Sequence, residues 1–286
     1  MPRALEPLEG IVISIVAYGG ALVFAVIVAY SGGVSTREET SLFTLLMFLI
    51  AYALVARSAG DPMRCVRLRG VRPLVLICSV LASLAIIPPA VSLQALVFSR
   101  IEIPEKWMEY VLEVIRADSV PELIYAWLVV ALGAAVSEEF VFRGVLQNSL
   151  TNRMRGWGAL LITSGLFAAL HTWRFPAAFI MGFFLGTLYL RTRSILAPFV
   201  AHLTINSVVV FTQYAMDRRG EEVFPRWLVE EKMAPLVLIA VSLLVFAFLM
   251  LLLLRLTRSE ARKPWSTDRD TTVDTLAGNS LAGDSS

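Results

Sequence analysis

The chain has 286 residues, of which 57% are hydrophobic and 17% charged, with a formal net charge of +2. Soluble domains carry about 25% charged residues, so the composition excludes an ordinary soluble domain. The near-neutral balance, without a basic stripe of interleaved aromatics, speaks against a nucleic-acid partner.

A membrane span needs about 20 apolar residues. Eight segments come close, near 10–30, 41–56, 73–98, 121–150, 157–173, 175–191, 194–215 and 233–254. The first could be read as a signal peptide. Its apolar run is too long for one, and it follows two glutamates and one arginine, so it is expected to stay as a span. The third contains "IIPPA", and Pro88 and Pro89 should kink or break it. Between the third and fourth, "IEIPEKWMEYVLEVIRADSVPE" mixes charges with Trp107, Tyr110, Leu112 and Ile115, as an amphipathic helix at the interface does. After Leu254 the sequence turns polar and aperiodic, so 255–286 should be a disordered tail. Cys65, in an arginine-rich loop, and Cys78, in an apolar run, read as free thiols. The expected fold is an all-α polytopic membrane protein of about eight transmembrane helices, with its site in the bundle interior. N-terminal spans and the interfacial helix fill 1–120, and a core with the last span fills 121–254.

Arginine sets the orientation. Loops 57–72, 151–156 and 191–193 and the segment after the last span are rich in it, and with eight spans all four lie on one side. That side should be cytoplasmic, with both termini on it.

The stretch "SEEFVFRG" puts Glu138, Glu139 and Arg143 inside an apolar span. Each such charge costs about 2.5–3.5 kcal/mol at a helix centre. Glu139 and Arg143 are four apart and can pair on one face, which leaves Glu138 over. Both histidines of the chain, His171 and His202, also lie in apolar spans. Asn206 shares a helix face with His202, and Phe167 can pack beneath His171. At about 1.5 Å per residue, Glu138, His171, His202 and Asn206 all fall at depths of roughly 12–21 Å from the arginine-bearing side. They should therefore surround one cavity, opening toward that side or sideways to lipid. A carboxylate that takes a proton from water, a histidine beside it and oxyanion donors suit hydrolysis. Glu138, His171 and His202 are equally a two-histidine, one-carboxylate ligand set for zinc, so the cofactor is either none or Zn2+.

"EEFVFR", "FAALH" and "HLTIN" resemble the EExxxR, FxxxH and HxxxN motifs of the CPBP family, the CAAX prenyl endopeptidases and Abi-type intramembrane proteases. The resemblance covers roughly 120–215. It implies an endopeptidase in which Glu138 activates water with His171 as partner. His202 and Asn206 would form the oxyanion site, and Glu139 and Arg143 would brace it. The implied partners are a membrane-associated protein or peptide substrate and the lipid bilayer. The short loops suit a compact bacterial member of the inner membrane. The rival classes are a proton- or ion-coupled transporter and a non-catalytic immunity or scaffold protein. No paired broken helices of the transporter kind are evident, and the intact motif set argues against a vestigial site.

Overall fold

The computed structural model describes residues 4–98, 100, 105–171, 174–218, 236–262 and 265. Among them the chain is helical, without strands. In order, α1 is Pro7–Ser31, α2 Thr36–Ala59, α3 Pro62–Cys65, α4 Pro73–Phe98 and α5 Glu105–Ile115. A long composite helix α6 follows over Val120–Thr151. Then come α7 Gly156–Leu170, α8 Phe175–Thr192, α9 Leu196–Asp217, α10 Leu236–Leu256 and α11 Arg258–Arg262.

Seven of these helices are long and apolar enough to cross a membrane, and α7 is a shorter apolar helix. Only 22% of the most apolar stretch of α1 and 17% of that of α10 is buried in the protein. The remaining leucines, valines and phenylalanines point outward, as lipid-facing helices require. Local signals place the ends. Ser35 accepts the Glu38 backbone N–H at 3.3 Å and Glu38 accepts that of Ser35 at 2.7 Å, a capping box that starts α2. Gly32, at φ 70°, terminates α1 in the left-handed region.

Two expectations need correction. Pro88 and Pro89 lie inside α4, which continues through them unbroken. Two prolines forgo two backbone hydrogen bonds, a loss that packed membrane helices tolerate. The segment after Leu254 does not become structureless at once: α10 runs to Leu256 and α11 adds another turn. Trp265 then docks against the bundle. Its ring lies 4.2 Å from the Arg67 guanidinium and 5.1 Å from that of Arg193. Its indole N–H donates to Asn148 Oδ1 at 3.2 Å. Cation–π contact and a hydrogen bond outweigh the polar composition there. Residues 266–286, the rest of the expected tail, lie outside the described residues, as does the side chain of Trp107.

The helices close on α6 from several sides. Ala17 and Ala21 of α1 and Met47, Ala51 and Val55 of α2 share a fully buried cluster with Val145 of α6. Small residues let membrane helices approach closely. A Cβ on Gly10 would lie 2.0 Å from Ser149 Oγ, and one on Gly144 2.5 Å from Val66 Cβ. A second cluster joins Val75, Cys78 and Ala82 of α4 to Leu185 and Leu188 of α8, Ala197 and Ala201 of α9 and Leu253 of α10.

The arginine-bearing end of the bundle is knit shut. Arg67 donates to Asn148 Oδ1 at 3.0 Å and to the Trp265 carbonyl at 2.7 Å. Asn148 donates to the Cys65 carbonyl at 2.7 Å, and Ser194 Oγ to the Arg69 carbonyl at 2.7 Å. Both cysteines are buried and free.

Candidate active site

α6 carries the first motif on an unusual backbone. Trp127–Gly133 and Phe140–Gln147 are π-helical, with a short α-helical stretch, Ala134–Glu139, between them. Such wide turns are rare and occur often at functional sites. The second one begins directly after Glu139.

Glu139 and Arg143 pair as their spacing predicts, at 3.1 Å, with side chains only 1% and 2% exposed. The same oxygen, Glu139 Oε1, also lies 2.8 Å from His202 Nδ1. One carboxylate oxygen therefore bridges a guanidinium on α6 and an imidazole on α9. The other Nη of Arg143 donates to the Gly182 carbonyl of α8 at 3.2 Å, and its guanidinium lies 4.8 Å from the Phe167 ring centre. Four residues on, Gln147 donates to the Gly186 carbonyl at 3.0 Å. Both acceptors sit where a neighbouring helix presses close. A Cβ on Gly186 would lie 2.4 Å from Leu160 Cδ1, and one on Gly182 would lie 3.2 Å from Ser164 Cα. Gln147 extends the brace and was not foreseen. Its spacing of four from Arg143 was the available signal.

Glu138 stands apart from this brace. Its Oε2 lies 3.9 Å from His171 Nε2 and 3.9 Å from His202 Nε2. That oxygen is buried and has no hydrogen-bond partner. His171 is not within a span as expected. It caps the end of α7, which stops at Leu170. Its Nδ1 lies 2.7 Å from the Phe167 carbonyl. A carbonyl only accepts, so Nδ1 bears the hydrogen there, and a neutral ring turns an Nε2 lone pair toward Glu138. Phe167 lies beneath the ring with centroids 4.3 Å apart. Asn206 donates to the Val130 carbonyl at 3.1 Å. That uses one of its two amide hydrogens and leaves the other.

Glu138, Phe167, His171, His202 and Asn206 line a cavity of about 360 Å³. Thr40 and Phe43 of α2, Tyr110 and Val114 of α5 and Arg174 also contribute walls. The expectation of one shared cavity and the direction of its opening fare differently. The residues do meet, but beyond the motif level most of the walls come from the helix ends opposite the arginine-bearing loops. α5 and Arg174 were not foreseen as part of the site, because no motif marks them.

Zinc would need ligands at about 2.0–2.2 Å, normally three from protein in a catalytic site. Among the described residues no group of three or more His, Cys, Asp or Glu side chains could hold a metal ion.

No curated protein and no solved structure matches the chain. Residues 120–208, which contain all three motifs, match the family described as type II CAAX prenyl endopeptidase Rce1-like.

Proposed function

We propose that this chain is an intramembrane endopeptidase that hydrolyses a peptide bond of a membrane-associated protein or peptide, with Glu138 as general base. The observation that carries the proposal is the placement of Glu138 Oε2, buried, unbonded and 3.9 Å from two histidine Nε2 atoms on a cavity wall. A water about 2.8 Å from both Glu138 Oε2 and His171 Nε2 subtends an angle of about 90°. That is close to the angle between the two hydrogens of one water, so both acceptors can hold it at once. Glu138 takes one proton as the water oxygen bonds to the substrate carbonyl carbon. The remaining N–H of Asn206 faces the developing oxyanion, and His202 Nε2 can donate to it when protonated. The C–N bond then breaks, and the proton held on Glu138 passes to the leaving amine. Glu139 fixes His202 from behind and is itself fixed by Arg143.

The family implies a CAAX-type endopeptidase, but the residues of the site do not identify the substrate. It can be found by comparing membrane-peptide termini in cells producing the wild type and Glu138→Gln. A terminus present only with the wild type identifies the cut. Purified protein should then cleave that peptide and keep its activity after chelation and dialysis. Loss of activity with specific rescue by zinc would overturn the metal-free mechanism. A proton- or ion-coupled transporter predicts no terminus dependent on Glu138.

A further inference from the structure

We infer that the substrate reaches Glu138 from the membrane face opposite the arginine-rich loops, through a vestibule roofed by α5. Most of the described cavity walls come from the helix ends nearer that face, with Leu185, His202 and Ile205 forming the floor at the level of the motifs. α2 contributes Thr40 and Phe43 from its first turns, and α8 contributes Ala177 and Met181 from its own. α6 contributes Ala134 and Val130, about one and two turns before Glu138. No wall residue comes from loops 57–72, 151–156 or 191–195 or from 255–262.

The other direction is closed. Every residue from Glu139 to Leu150 is buried, and beneath them lies the network of Arg67, Asn148, Ser194 and Trp265. Glu138 and His171, by contrast, keep 17% and 28% of their side-chain surface exposed. Among the described residues, the cavity that holds both groups is walled by α5.

Helix length explains the vestibule. α7 has 15 residues and α8 has 18, against 22 in α9 and 32 in α6. At about 1.5 Å per residue, α7 rises roughly 22 Å through a hydrocarbon core about 30 Å thick. The α7–α8 hairpin therefore ends below the far surface, with His171 and Arg174 at its tip. α5 lies over the gap, presenting Val111, Val114 and Ile115 to the cavity while Lys106, Glu109 and Glu113 stay exposed. Arg37 of α2 holds it there by donating to the carbonyls of Val114 at 3.0 Å and Glu113 at 3.2 Å, and to that of Arg116. A cation at a helix C-terminus also suits the helix dipole. Tyr110 reaches Thr40 at 3.2 Å from the same helix.

Arginine-rich loops mark the cytoplasmic side. The vestibule therefore faces outward. The substrate class is an exported or membrane-anchored polypeptide that presents its scissile bond in the outer half of the bilayer. This substrate class rests on the reading of Glu138 as the base, whereas the direction of access is independent of it.

A membrane-impermeant maleimide tests the direction without any cleavage assay. Cys65 and Cys78 are 9% and 3% exposed, so the wild type supplies the unlabelled background. Tyr110→Cys in the roof, Ala134→Cys and Ala177→Cys in the walls and Ser259→Cys on the arginine face are compared in right-side-out and inverted vesicles. Tyr110→Cys and at least one wall cysteine should label in right-side-out vesicles, and Ser259→Cys only in inverted ones. Labelling of Tyr110→Cys only in inverted vesicles would overturn the proposed side. Failure of both wall cysteines to label from either side would overturn the open vestibule. If instead Glu138 is not the base, labelling stays as expected while Glu138→Gln still cleaves.

Discussion

Glu138→Gln should lose cleavage by about 10²–10⁴-fold, the range general-base catalysis contributes, while the protein stays folded. The amide keeps the shape of the carboxylate but cannot accept the proton of water. Stability should not fall, and can rise. Glu138 Oε2 is buried without a hydrogen-bond partner, so that oxygen is desolvated with no hydrogen bond in return. Relief of that cost in a less active enzyme is the usual trade between function and stability. Turnover and thermal melting of the detergent-solubilised protein check both parts. Near-normal turnover would remove Glu138 from the mechanism.

Glu139→Gln should fail differently, losing stability together with activity. Its Oε1 serves Arg143 at 3.1 Å and His202 at 2.8 Å, with almost no access to solvent. Breaking a buried pair costs about 3–5 kcal/mol, because the remaining charge stays buried without its partner. The melting transition should drop clearly. Activity should fall because His202 is released from its position facing Glu138. Arg143→Lys should resemble it. One Nη of Arg143 meets Glu139 while the other donates to the Gly182 carbonyl at 3.2 Å, and a single ammonium does not reproduce that fork. If Glu139→Gln melts like the wild type and is inert, the roles of the two glutamates are reversed.

The part of the site that lies within one helix turn was legible in the sequence. Spacing of four paired Glu139 with Arg143 and put Phe167 beneath His171, since neighbours on a helix face are fixed by local geometry. Convergence of Glu138, His171 and His202 was legible through depth, because every residue adds the same rise to a helix. The side from which the cavity opens was not. It depends on α7 stopping at Leu170, where an apolar run extending to residue 173 suggested a full span. Hydropathy does not mark where a buried helix ends. The π turns left no trace either, since the residue types of Trp127–Gly133 and Phe140–Gln147 suit an α turn as well as a wider one. Pro88 and Pro89 misled for the opposite reason. A strong local signal was overruled by packing that sequence alone does not display.

Trp265 sets a boundary for anyone cutting or tagging this chain. Hydropathy alone would end the folded unit near Leu256, the last residue of α10. The indole that contacts Arg67, Arg193 and Asn148 comes nine residues later. Asn148 closes the same helix that carries Glu138. A truncation after Arg262 would therefore loosen the far end of the helix that carries Glu138 without touching a motif residue. A fusion partner joined beyond Trp265 keeps that anchor in place.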